Sequence, residues 1–332
     1  MLFQRLRATS SLELRHFSTL EEFRSSERLG EAHVLPLSGQ SSSAHAIVRL
    51  SECKLVVKRT FPRILEASYS PNGMLCIFPL TPPAGFKIND VVVDSRSVVI
   101  VRGRVDCQIV EPEANLFAVI ELDPAIADRG WPEDRTGIQF VHADTPSDLQ
   151  ALRGNVARLL AAASEQPRDA ASLETMERQL LCSLDDVILN ARSTLRPPAY
   201  FDRYLRIVEQ IEAYQQFHPD ADARAGDLAR HCGVSARTLQ NATKSVRGMS
   251  VHRYLRLRKL WSVRRTLAVG RPDTVISDVA RANGFRHMGE FARAYRQAFG
   301  ETASTTLTRG QRRASEVQNP PATVVYDPAG LC

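Results

Sequence analysis

Two short stretches of the chain repeat one another, and they restrict what its C-terminal part can fold into. "DLARHCGV" (227–234) and "DVARANGF" (278–285) align at an offset of 51, with Leu228 on Val279, Ala229 on Ala280, Gly233 on Gly284 and Val234 on Phe285. Past the turn the offset becomes 52, so Leu239 matches Phe291, Gly248 matches Gly300 and Ser250 matches Thr302. Each copy reads as a helix, a glycine turn at Gly233 or Gly284, and a second helix closed by another glycine. Glycine adopts positive φ without steric cost and can turn the chain within three residues. A small Ala one turn earlier lets the second helix cross closely, and Ser235 suits the N-cap of the second helix in the first copy. This is helix-turn-helix grammar, in which the second helix lies in a DNA major groove.

The second copy continues as "GFRHMGEFARAYRQAFG" (284–300). Phe291, Tyr295 and Phe299 fall about one helical turn apart and predict one buried stripe. Arg286, His287, Glu290, Arg293 and Arg296 must then point elsewhere. Between the copies, "SVHRYLRLRKLWSVRRTLA" (250–268) sets Tyr254, Leu257, Leu260, Trp261 and Leu267 on a broad apolar face. A helix of that length spans roughly 28 Å at ~1.5 Å per residue. Successive major grooves on one face of DNA are about 34 Å apart, so such a rod can seat two recognition helices in neighbouring turns.

Charge separates this region from the rest. From Asp227 to Arg313 there are 18 Lys/Arg against 5 Asp/Glu, a net of +13, which leaves −7 elsewhere in a chain of net +6. A basic end on an acidic body implies that one end meets a polyanion, either nucleic acid or an anionic membrane. The chain's 332 residues suggest about two domains, and 43% hydrophobic with 24% charged residues are globular values. Six scattered cysteines form no CxxC pair, which argues for buried thiols and against a disulfide framework or zinc ribbon. No apolar run has signal-peptide or bilayer-spanning length, so the expectation is a cytoplasmic protein with no membrane partner.

The predicted fold class is α+β, in five parts. Residues 1–30 read as a loosely held lead-in with a helical patch around Leu20–Arg28. Residues 31–145 read as a β-rich sandwich or small barrel, to which the resemblance given below assigns the effector or regulatory role. Within it, "VRGRVDCQI" alternates in period two, and "LVVK", "MLCIFPL" and "LFAVIEL" are further strands, separated by turn-like "SPNG" and "PEAN". Residues 146–200 form a helical pair that either packs on the β domain or dimerises the chain. Residues 201–312 form an all-α DNA-binding domain with two helix-turn-helix units, and 313–332 a tail.

On "GVSARTL" with "KSVRGMS", "RYLRLRKL" and "DVARANGF…EFARAYRQAFG", the chain resembles the AraC/XylS family of bacterial transcription regulators over roughly 201–310. The resemblance implies double-stranded DNA as partner and RNA polymerase as a second one. It also implies activation in preference to repression, and an N-terminal domain that takes a small-molecule effector or supports a homodimer. It places Arg237, Thr238, Gln240 and Asn241 at base-facing positions of the first recognition helix, with His287, Met288, Glu290 and Arg293 on the matching face of the second. Arg suits guanine, Gln and Asn suit adenine, and Glu can accept from cytosine. Phosphate contact by Arg237, or a pair of Glu290 with Arg286 or Arg293, is the plainer alternative. Lys244, Arg247 and Arg296 sit further along and suit phosphate. The sequence departs from the family pattern at Asn241, Thr243 and Ala303, and at Arg286 and His287 where a small polar cap is usual.

No catalytic constellation, GxGxxG, P-loop, GxSxG or HExxH pattern appears, so no enzyme activity, cofactor or metal site is expected. His33, His45 and His142 lack the His-x-His spacing of barrel ligands. Cys232, in the first turn, reads as a structural thiol. A regulator controlled by abundance or a protein partner, and an enzyme domain fused to a DNA-binding module, are the alternative readings.

Overall fold

The computed structural model describes residues 2–20, 22–23, 33–39, 41–71, 73–124, 129–131, 137–165, 170–191, 193–219 and 224–318. The remaining turn and patch residues expected around 24–28, 72 and 220–223, and the tail beyond 318, lie outside these. The chain divides into two compact units, residues 1–206 with 241–248, and residues 207–240 with 249–332.

In the first unit a short helix α1 (Leu2–Arg5) precedes β1 (Leu12–Phe17), β2 (His33–Pro36), β3 (Ser43–Arg49), β4 (Cys53–Arg59), β5 (Arg63–Tyr69) and β6 (Met74–Pro79). There follow β7 (Lys87–Ile88), β8 (Val91–Val92), β9 (Ser97–Arg102), β10 (Val105–Glu111), β11 (Leu116–Leu122) and β12 (Gly137–His142). Helices α2 (Gln150–Ser164) and α3 (Ala170–Leu189) and a last strand β13 (Ser193–Leu195) complete it. One antiparallel sheet runs β1-β3-β4-β11-β6-β9-β12-β13, and a second runs β2-β5-β10-β7-β8.

Three features differ from the sequence reading. The lead-in is held, because β1 pairs with β3 from Leu12↔Val48 to Phe17↔Ser43. The alternating run 101–109 is two strands: Gly103 turns the chain at φ 65°, and β9 and β10 lie in different sheets. Period two survives within β10, which buries Val105, Cys107 and Ile109 and leaves Asp106 exposed and Gln108 half-buried between them. The region expected to be wholly helical also supplies β13, which pairs with β12 from Phe140↔Leu195 to His142↔Ser193.

The helical pair packs on the large sheet. Ala44, Ala46, Val48, Leu55, Val57, Cys76, Ile100 and Ile120 share one buried core with Leu152, Leu159 and Leu160 of α2 and Leu180, Leu181 and Leu184 of α3. Strands covered on both faces lose their alternation, which is why β9 reads "SVVIVR". The buried carboxylate of Glu177 on α3 accepts from the backbone N–H groups of Ser51, Glu52 and Cys53 at 2.8–3.1 Å, and from Ser51 Oγ at 2.5 Å. It thus fastens the β3–β4 turn to the helix. Asp185 holds Arg129 Nε and Trp131 Nε1, each at 2.7 Å.

The second unit contains most of α4 (Phe201–Phe217), then α5 (Ala225–His231), the start of α6 (Ala236–Arg247), and α7 (Val251–Val269). It ends with α8 (Ile276–Ala282), α9 (Met288–Phe299) and α10 (Ala303–Gln318). Phe291, Tyr295 and Phe299 form the expected stripe and share a core with Leu260, Val263 and Leu267 of α7. Each such side chain contributes about 2–3 kcal/mol of burial, enough to fix the face that α9 turns inward. Glu301 closes this core, taking Arg309 at 2.8 Å, Arg264 at 2.9 Å and Thr306 Oγ1 at 2.8 Å. Burial pushes its carboxyl up, but Arg309, Thr306 and Arg264 together outweigh that and hold it below the usual carboxylate value.

Glu177→Ala removes the acceptor of three backbone N–H groups, that of buried Cys53 among them, and should lower stability by about 1–3 kcal/mol, read as a lower urea midpoint of the full chain. For Glu301 the folded-state value lies below the unfolded one, so its stabilisation is complete above the usual carboxylate range and is lost as pH falls through the folded value. The gap in urea midpoint between the wild type and Glu301→Gln is therefore expected to be open near pH ~7 and to narrow as pH falls below the usual carboxylate range.

Candidate nucleic-acid interface

The two repeated segments fold alike down to their backbone hydrogen bonds. Val234 N bonds Ala229 O at 2.9 Å and Gly233 N bonds Arg230 O at 3.1 Å. In the second copy Phe285 N bonds Ala280 O at 3.0 Å and Gly284 N bonds Arg281 O at 2.8 Å. Gly233 and Gly284 sit at φ 62° and 80°, a left-handed conformation that disfavours any side chain. An added Cβ at Gly233 would meet nothing within 4 Å, so backbone conformation alone demands the glycine there.

The helices that follow begin differently. Ser235 caps α6, with Thr238 N donating to its Oγ at 3.1 Å. Helix α9 starts at His287 with no side-chain cap, the outcome of placing Arg286 and His287 where a small polar residue is usual. Between them α7 is an unbroken helix of 19 residues, capped by Ser250 and ended by left-handed Gly270.

Arg237, Asn241, His287, Glu290 and Arg293, all assigned to base-facing positions, are exposed, as are Lys244 and Arg296. Glu290 forms no ion pair with Arg286 or Arg293 in the structure, so its carboxylate is presented to solvent. The other assignments fare differently. Thr238 is half-buried and its hydroxyl lies 2.9 Å from Ser235 Oγ, inside the cap. Gln240 accepts from Val251 N at 3.4 Å, and Met288 packs against the core beside Phe291.

Arg247 differs most from its expected placement at phosphate. It is 1% exposed, paired with Glu66 of β5 and bonded to Gln108 of β10, within the first unit to which residues 241–248 belong. Ser245 of the same segment donates to Asp90. Sequence could not show this, because an Arg at a helix end looks the same whether it faces solvent or a carboxylate on a distant strand. Thr243, where the family has an aromatic, is fully buried.

Within the second unit a groove of about 630 Å3 lies between the two repeats. Gln240 lines one wall, His287 and Glu290 another, and α7 supplies His252, Arg256 and Lys259. Residues of the two recognition helices thus border one concavity. The basic side chains from α7 are not singled out by the sequence, which marks the apolar face of that helix.

The first unit holds a second polar cluster. The guanidinium of Arg63, 4% exposed, lies 4.9 Å from the Phe23 ring and 5.3 Å from the Phe61 ring, with Nε on Glu111 at 2.7 Å. Burial raises the Glu111 carboxyl despite Arg63 beside it. Arg63 Nη1 and, on β3, Ser43 Oγ are buried without a hydrogen bond. No group of three or more His, Cys, Asp or Glu among the described residues could hold a metal. Cys53, Cys76 and Cys107 are buried free thiols, and burial raises Cys107 to about 12. Cys232 is half-buried and raised by burial as well, so it lacks the lowered pKa of a reactive thiol. Among the described residues no helix is long and apolar enough to cross a membrane.

A helix-turn-helix domain family matches residues 228–309. A XylDLEGF operon transcriptional activator of Pseudomonas putida is 26% identical over 197 residues, covering 59% of this chain and 60% of that one. A second activator of that operon, also from Pseudomonas putida, is 39% identical over 84 residues, covering 24% of this chain and 52% of the relative. The chain thus spans about 60% of the first of these curated relatives. The solved structure of a probable AraC family transcriptional regulator from Rhodopseudomonas palustris is 31% identical, covering 32% of this chain and 98% of its own, at a TM-score of 0.29. Residues 228–309 thus carry a helix-turn-helix domain, within the stretch over which the chain resembles the AraC/XylS regulators.

Proposed function

We propose that this chain is a sequence-specific DNA-binding transcription regulator, an activator, whose N-terminal unit responds to a small molecule. One observation carries the DNA-binding reading: two helix-turn-helix segments with the same turn geometry are joined by an unbroken helix in a strongly basic region. The similarity to Pseudomonas putida activators supports activation at a promoter, with RNA polymerase as the second partner. Arg237, Asn241, His287, Glu290 and Arg293 then read base edges, while Lys244 and Arg296 hold phosphates.

The effector part of the reading is supported by the buried Arg63–Glu111 cluster. A desolvated guanidinium with an unbonded N–H is costly unless something accepts from it. A small molecule bearing an oxygen acceptor would do so. Binding there would favour one state of the chain in proportion to its difference in affinity between states. In this reading the protein works in the cytoplasm, and a homodimer is the assembly that would set two such units on one promoter.

Footprinting of the full chain on an operator selected from a randomised duplex library should protect two adjacent major-groove segments on one face, about 34 Å apart. Protection of a single groove would overturn the two-helix reading. Arg293→Ala should weaken the selected operator by about 1–3 kcal/mol, roughly 5- to 150-fold, and a random duplex far less. Equal losses on both would demote Arg293 to a phosphate contact.

A further inference from the structure

The cationic side chains of the second unit fall into two groups. In one group each Arg has a carboxylate: Arg258 lies 3.0 Å from Glu212, Arg264 and Arg309 share Glu301, Arg281 lies 3.4 Å from Asp278, and Arg230 pairs with Asp227. Arg258 and Arg264 of α7 are the more buried of these, and their charge is used in folding. The other group forms no ion pair among the described residues, and of its members Arg224, Arg256 and Arg286 are exposed. They come from three separate elements, the start of α5, the middle of α7 and the turn before α9, yet all three line the one groove between the repeats.

Lys259 and three histidines, His218, His252 and His287, line it too, and Glu290 is the acidic residue of the lining. Converging like charges in a concavity raise its potential and draw a polyanion, because the protein walls confine the field. The groove's borders identify which polyanion. Gln240 and Glu290 belong to the two recognition helices, so a duplex engaging both must carry its backbone past the space between them.

We infer that this groove is the seat of the sugar–phosphate backbone of duplex DNA between the two major grooves, with Arg224, Arg256 and Arg286 as its phosphate contacts. The assignment rests on the DNA-binding reading above and adds to it a central, sequence-independent anchor. Helix α7 then both spaces the recognition helices and grips the duplex. Affinity from this anchor depends on counterion release and is equal for every sequence.

The test compares the full-length wild type, the triple variant Arg224→Gln/Arg256→Gln/Arg286→Gln, and Arg258→Gln by fluorescence anisotropy on a random-sequence duplex over a KCl series. Each lost phosphate contact reduces the slope of log affinity against log salt by about 0.9. The triple variant should therefore show a slope shallower by about 2–3 with affinity at least about tenfold lower, while Arg258→Gln keeps the wild-type slope. A wild-type slope in the triple variant overturns the inference. So does a loss confined to the selected operator, which would make these residues base readers. So would inorganic pyrophosphate raising the Tm of the wild type but not of the triple variant, with the salt slopes of the two alike, which would assign the groove to a small anion. A wild type that ignores duplex even in dilute salt overturns the DNA-binding reading itself, and is told apart because it needs no variant.

Discussion

Helix α7 carries six Lys/Arg and no acidic residue of its own, and the second unit is organised around how those charges are disposed. Glu212 reaches Arg258 at 3.0 Å and also accepts from Tyr254 Oη at 2.5 Å, while Glu301 reaches Arg264 at 2.9 Å. Arg264 lies 4.6 Å from the Phe299 ring, so the same guanidinium that meets Glu301 also packs on the aromatic stripe of α9. Half-buried pairs of this kind contribute through geometry as much as charge, since breaking one leaves a desolvated partner. With the inward cations neutralised, Leu260, Val263 and Leu267 can pack, while Arg256 and Lys259 of the same helix line the groove.

The two repeats show how little sequence a supersecondary unit needs. Between the copies of the turn, Leu becomes Val, His becomes Ala and Cys becomes Asn, yet the hydrogen bonds agree to within 0.3 Å. What persists is a small residue where helices cross and a glycine where φ is positive. The helix starts are less constrained, and there the copies diverge: a serine cap in one, an uncapped histidine in the other.

The first unit depends on carboxylates in another way. Glu177 and Asp185, both on α3, bind loops that the sheets alone would leave unsatisfied, and so join the helical layer to strand ends far away in sequence. The contact of Arg247 with Glu66 and Gln108 belongs to this unit too. A residue whose position along α6 suggests phosphate therefore has its charge satisfied by protein.

The sequence by itself determined the helix-turn-helix pair, the rod between them, the aromatic stripe and the β-rich character of the N-terminal region, since each is written in short-range periodicity and turn chemistry. Exposed Arg237, Asn241, His287, Glu290 and Arg293 were legible because a helix face follows from spacing of 3.6. Tertiary structure decided that the run 101–109 divides between two sheets, that the lead-in is an edge strand, and that Arg247 is buried. It also decided which arginines meet a carboxylate and which gather around a groove. The partners of Arg247, Arg258 and Arg264 stand 37 or more residues away, and one-dimensional patterning is blind to separations that only packing closes.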